Sequence, residues 1–255
     1  MALQIGSALE EAGYRLFSRT GAILLGAFLA LMLSLQALIN TILATTFTRM
    51  GYGEVTAAMP LTFDIPLTVA GGGIALSAAV SLYLTIVSFR TFVAGARKRF
   101  PERAFTRNVP LAMVNVFVGG IVYSLLVFIG SFLLIIPGIF AYVAFIFMLP
   151  YVIVEDRNFV AALKESYRLT AGDRIALFGL LFIVIAAGAL FGGVVGFVGG
   201  LAFSGPNSQL PTIIIQPLVS LYSTAVIAVA FEQLQTADGR PPSAPSEDDT
   251  TMTAL

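Results

Sequence analysis

The sequence predicts an all-α fold: a polytopic membrane helix bundle with six transmembrane helices, two short amphipathic interfacial helices and a candidate parallel internal repeat. Three observations carry that expectation. The chain is 58% hydrophobic and only 11% charged, with a mean hydropathy of +0.93, whereas a soluble domain is nearer one quarter charged. The charges it has are segregated, because residues 20–48, 65–89, 108–154 and 175–231 contain no Asp, Glu, Lys or Arg. A bilayer demands such runs, since one charge at its centre costs roughly 2.5–3.5 kcal/mol on the insertion scale. Finally, an even number of crossings sorts the basic residues almost wholly to one side.

In chain order, the first element is an amphipathic helix with Ile5, Ala8, Leu9, Ala12 and Leu16 on one face against Gln4, Glu11 and Arg15. About 20 helical residues cross a core of about 30 Å, so spans 20–47 and 66–94 are one crossing each. Run 108–154 would be about 70 Å long as one helix, and it is expected to turn at Pro137-Gly138 into spans 109–136 and 138–154. A second amphipathic helix follows, with Phe159, Val160, Leu163 and Tyr167 opposite Lys164, Glu165 and Arg168. Asn158 can cap its start, Gly172 can end it, and Asp173 can cap the next helix. Run 175–231 breaks at the turn-rich stretch Ser204 to Pro211, which gives spans 175–203 and 212–234. Residues 1–235 then form the transmembrane domain and 236–255 an acidic, disordered cytoplasmic tail. The two amphipathic helices read either as elbows that orient the following crossing or as lipid-sensing and partner-docking surfaces.

Six crossings place both termini on one side, together with thirteen of the fourteen basic residues. These are Arg15, Arg19, Arg90, Arg97, Lys98, Arg99, Arg103, Arg107, Arg157, Lys164, Arg168, Arg174 and Arg240, and only Arg49 lies opposite. Lys/Arg bias sets orientation, so both termini are expected in the cytoplasm and the protein in the cytoplasmic membrane. The Arg90–Arg107 stretch reads as a topology anchor or as a site for anionic lipid headgroups. No cleavable signal peptide is expected, because Glu10 and Glu11 precede an apolar run too long for one.

The repeat rests on Ala8-Leu-Glu-Glu-Ala-Gly-Tyr-Arg-Leu16 against Ala162-Leu-Lys-Glu-Ser-Tyr-Arg-Leu169, each leading into a membrane helix. Leu24 and Gly26 match Leu177 and Gly179, and Pro66-Leu67 matches Pro217-Leu218. Both copies start on the same side, as parallel repeats do.

Two features mark the interior. Gly188, Gly192, Gly196 and Gly200 recur every four residues, a flat stripe on which another backbone can pack, in this chain or a second copy. Gln36, Asn40, Asn115 and Gln216 are the few polar side chains expected to be buried within the spans. They read as interhelical hydrogen-bonding groups, or as a substrate site if Gly71-Gly72-Gly73 and Pro217 interrupt their helices.

The chain has no His and no Cys. This removes imidazole- or thiol-based nucleophiles and imidazole or thiolate metal ligation, so neither enzymatic activity nor a cofactor is expected. No basic patch with interleaved aromatics suggests nucleic acid.

Pro137-Gly138-Ile139, Pro150, Val154-Glu155-Asp156, Ala162-Leu163-Lys164-Glu165-Ser166, Leu169 and Gly172 form a pattern of moderate specificity over residues 137–172. It resembles the membrane domain attached to some glycerophosphoryl diester phosphodiesterases, and free-standing prokaryotic six-helix membrane proteins of unknown function. In those enzymes the activity belongs to a separate barrel with a catalytic His, which this chain lacks. The resemblance therefore implies only a membrane module, one that partners lipid-related or envelope proteins. The leading expectation is a non-enzymatic scaffold or envelope-maintenance protein in contact with the lipid bilayer and other membrane proteins. The alternative is a small permease or lipid-handling transporter for a neutral or lipid-like solute.

Overall fold

The computed structural model describes residues 3–56, 59, 61–203 and 209–239. Among these the regular elements are helices joined by turns and loops: α1 Ile5–Leu16, α2 Arg19–Arg49, the short α3 Gly53–Thr56, α4 Leu67–Val93, α5 Val109–Leu133, α6 Ile135–Ala144, α7 Met148–Val154, α8 Phe159–Leu169, α9 Arg174–Ala202 and α10 Leu210–Ala237. Among the described residues, six helical segments are long and apolar enough to cross a membrane: α2, α4, α5, the α6–α7 pair, α9 and α10. The protein is a multi-pass helical membrane protein.

Several expected boundaries shift. The spans expected at 20–47, 66–94 and 175–203 move by one or two residues at their ends. The last helix starts at Leu210 and runs to Ala237, longer at both ends than the expected 212–234. It takes the first residues of the expected tail, while 240–255 lie outside the described residues, as do Ser204 to Ser208 of the expected break. The hairpin expected to turn at Pro137-Gly138 turns earlier, at the single extended residue Leu134 (φ −158°, ψ 140°). Pro137 then sits in the first turn of α6, where a missing N–H is harmless. The two glycine-proline interruptions are also absent. α4 runs unbroken through Gly71-Gly72-Gly73, and α10 continues through Pro217.

Two compact units are present. The first comprises residues 3–20, 86–180 and 224–239, and the second residues 21–85 and 181–223. The first has a dense core in which Phe147, Tyr151 and Phe231 are fully buried. The Tyr151 and Phe231 rings meet edge-on with centroids 4.9 Å apart. Here the helix pair α6–α7 breaks at residues 145–147, and α8 repairs the break. The buried Ser166 hydroxyl donates to the Ala144 carbonyl at 2.9 Å and accepts from the Phe147 N–H at 3.1 Å. Replacing Ser166 with Ala is expected to leave that buried N–H unpaired and to cost about 1–3 kcal/mol. A lower denaturation midpoint in detergent checks it, and an unchanged midpoint contradicts it.

Glycine decides how close the hairpin arms come. A Cβ on Gly130 would lie 3.0 Å from the Gly138 Cα, and one on Gly138 would lie 2.6 Å from the Ser131 backbone nitrogen. Gly138 thus serves close approach, not the chain reversal expected of it.

In the second unit, the glycine stripe of α9 meets α10 at alternate positions. A Cβ on Gly188 would lie 2.8 Å from Val219 Cγ1, and one on Gly196 would lie 3.3 Å from Thr212 Oγ1. Gly192 and Gly200 have nothing within 4 Å of that position. Two glycines of the stripe therefore pack against α10, and the other two have open space beside them.

Candidate functional site

Among the described residues, polar groups gather in an ion-paired cluster of the first unit and in a cleft of the second. In the first unit, ion pairs tie together elements far apart in sequence. Arg15, expected on the water-facing side of the first amphipathic helix, is buried instead. Its Nε donates to Glu11 at 2.8 Å, its Nη2 lies 2.8 Å from a Glu232 carboxylate oxygen, and its Nη1 donates to the Phe92 carbonyl. Arg97 Nη2 reaches both oxygens of Glu11 at 2.6 and 2.7 Å. The Gln4 N–H donates to Gln233 at 3.0 Å, and Gln233 donates to Ser7 at 3.1 Å. So α1 is bolted to the ends of α4 and α10 by its polar face, because a guanidinium taken out of water needs carboxylates and carbonyls around it.

A second buried arginine organises the hairpin exit. Arg90 Nε donates to the Ile153 carbonyl at 3.0 Å and Nη1 to Ala104 at 3.3 Å. Asp156 stands in the left-handed region at φ 52°, which Asp tolerates. That turn brings its carboxylate 2.6 Å from Arg107 and 3.7 Å from Arg90. Beside it, Gln235 donates to Glu155. Arg90, Arg97 and Arg107 of the expected lipid-anchoring stretch therefore have protein partners. Arg90 alone of its basic residues is buried; Lys98 and Arg99 are exposed, as are Arg97, Arg103 and Arg107.

Burial would raise the Glu11 carboxyl, but hydrogen bonds and charge from Arg15 and Arg97 outweigh it and hold the group below the ordinary carboxylate value. Within this unit the repeated segments differ where they match best. Arg15 is buried, whereas the equivalent Arg168 is exposed and 3.5 Å from Glu165.

The second unit holds a cleft of about 530 Å³ lined by Met32, Gln36, Gly196, Gly200, Gln209, Thr212, Ile213 and Gln216. The structure thus brings together two of the expected polar residues, Gln36 and Gln216, and two of the stripe glycines. Gln36 Nε2 donates to Asn40 Oδ1 at 2.8 Å, so buried Asn40 supports Gln36 from behind. Asn115 works elsewhere, within the first unit. Its amide donates to Leu111 at 2.9 Å, and its Oδ1 accepts from the Phe159 N–H at 3.3 Å, capping α8.

Gln209 and Thr212 join the cleft without having been anticipated. They share a face with Gln216 at spacings of three and four, the helical neighbour pattern. Thr212 and Gln216 already lay in the expected last span, and Gln209 sits one residue before the observed start of α10 at Leu210. Pro217 has no N–H to donate to the carbonyl of Ile213, four residues earlier and on the cleft wall. The lining carries amide and hydroxyl groups, which both donate and accept, and no ionisable side chain.

Among protein families, the model described as a domain of unknown function, DUF7847, matches residues 3–237. No curated protein matches the chain, and no solved structure matches it. The match takes in nearly the whole sequence: the chain belongs to the DUF7847 family.

Proposed function

We propose that this DUF7847 protein is a non-catalytic component of the cytoplasmic membrane, with both termini in the cytoplasm, that binds a neutral lipid-like ligand in the carboxamide cleft. One observation carries the reading. Gln36, Gln209, Thr212 and Gln216 converge on a single uncharged cavity, flanked by helices whose outer faces are apolar. Carboxamides and a hydroxyl complement the esters and hydroxyls of an uncharged headgroup, and with no cation in the lining a phosphate would lack its counter-charge. Glycines 196 and 200 leave room for such a group beside the backbone. The orientation rests on the thirteen-to-one division of basic residues. The lack of a catalytic role rests on a chain without His or Cys.

The test is photolabelling of the reconstituted full-length protein with a neutral diacylglycerol-type probe. Interhelical and ligand hydrogen bonds in membranes are worth ~0.6–2 kcal/mol each. Gln36→Leu combined with Gln216→Leu is therefore expected to lower labelling about tenfold. Unchanged labelling, or equal competition by an anionic phospholipid, would end this reading.

The ion-paired assembly favours a second reading, a scaffold for other membrane or envelope proteins. It fixes α1, the hairpin exit and the end of α10 as one charged platform. Lys98 and Arg99 would there meet anionic headgroups or a partner. The resemblance to membrane domains of lipid-active phosphodiesterases suits either reading.

A further inference from the structure

We propose that the α5–α6 hairpin does not cross the bilayer but enters the cytoplasmic leaflet and returns, its tip embedded among lipid acyl chains. The first observation is the tip itself. Phe132, Leu133, Leu134, Ile135 and Ile136 are five consecutive large apolar side chains, and each is between 69% and 83% exposed. The sequence offers its own control. The connections on the far side of the membrane carry Arg49, Glu54 and Asp64 in one case and Ser204, Asn207, Ser208 and Gln209 in the other. A turn that emerged into water would need groups of that kind, and this one has none.

The second observation is depth, measured wholly within the first unit. The Arg174 guanidinium, at the start of α9, lies 4.8 Å from the centroid of the Phe140 ring and 4.3 Å from that of Tyr167. Arg174 belongs to the basic residues that mark the cytoplasmic rim. Leu134 is six residues beyond Phe140, which at helical rise is about 9 Å. A hydrocarbon core is about 30 Å thick, so the tip stops short of its far edge. The amphipathic α8 gives a concordant level. Its Ser166 holds Ala144 at 2.9 Å, ten residues, or about 15 Å, from the tip. Beyond that level toward Val154, most side chains of the return arm are buried in protein rather than facing lipid.

The longer outgoing arm, with its apolar face starting at Leu111, must then lie obliquely. Non-helical backbone at this depth is kept minimal: the turn is one residue, its N–H donates to the Gly130 carbonyl at 3.1 Å, and Pro137 removes another donor. A hairpin that returns leaves the sidedness of every other segment unchanged. Four helices, α2, α4, α9 and α10, would make the crossings.

The absence of cysteine makes a clean test. Single cysteines replace Leu134, Ile135, Gly53 and Lys98 in the full chain, reconstituted in vesicles. The Gly53 and Lys98 variants should react with an impermeant maleimide from opposite sides. The Leu134 and Ile135 variants should react from neither side until detergent is added. Labelled with a fluorophore in detergent and returned to bilayers, the latter two should be quenched by lipids brominated on their acyl chains. Reaction of Leu134→Cys or Ile135→Cys from the Gly53 side would show a crossing hairpin and overturn the proposal. Protection without lipid quenching would show the tip covered by protein, a second copy included, and would overturn it equally.

Discussion

Replacing Arg15 with Met is expected to lower the stability of the detergent-solubilised protein by about 2–3 kcal/mol, read as an earlier loss of the monodisperse peak on heating. The physical cause is what the substitution leaves behind. Glu11 and Glu232 keep their charges close together without the guanidinium between them, and the Phe92 carbonyl loses its donor. Breaking a fully buried pair by removing one partner costs about 3–5 kcal/mol. Here the two carboxylates are 30% and 29% exposed, so water screens part of that loss. Adding Glu232→Gln should recover part of the stability, because it removes the stranded charge. The pH dependence has a fixed sign. Glu11 has a lowered folded-state pKa, so its contribution is present above the ordinary carboxylate pKa and is lost as pH falls through the lowered one. The Arg15→Met protein should therefore lose less stability on acidification than the parent. An equal slope in both would contradict the assigned network.

Replacing Gly138 with Val is expected to cost about 3 kcal/mol or more, the upper range for overpacking a tight contact. A Cβ there meets the Ser131 backbone, 2.6 Å from its nitrogen and 2.7 Å from its Cα, and backbone cannot swing away as a side-chain end can. Gly120→Ala is the control. Nothing lies within 4 Å of its Cβ position, so it should be neutral or slightly stabilising through helix propensity. The comparison separates close packing of the arms from any general intolerance of larger residues in α5 and α6. Similar losses at both positions would contradict the close approach.

The glycines show how far residue spacing can be read. The four-residue repeat of Gly188, Gly192, Gly196 and Gly200 is visible in the spacing, yet only contact geometry separates Gly188 and Gly196, which meet α10, from the two that do not. The same limit applies to the polar residues. Gln36 and Asn40 are one turn apart and bond as that spacing allows. Gln216 joins Gln36 at the cleft, whereas Asn115 caps α8, and nothing in the linear order distinguishes the two. Arg15 is the sharpest reversal. A charged residue on the polar side of an amphipathic helix reads as solvated, but the partners that bury it, Glu232 and Phe92, come from distant parts of the chain.

The amino-acid order alone determined that this is a helical membrane protein, how many apolar segments it has, and which connections carry the basic residues. Those properties follow from the cost of removing charge from water, which is counted residue by residue along the chain and needs no knowledge of neighbours. Tertiary structure alone decided which helix faces meet protein, which arginines are sequestered, where the hairpin turns, and that an uncharged cleft exists. These depend on helix rotation and on pairing across long sequence separations, where several arrangements satisfy the same apolar pattern and only packing and hydrogen-bond satisfaction choose among them.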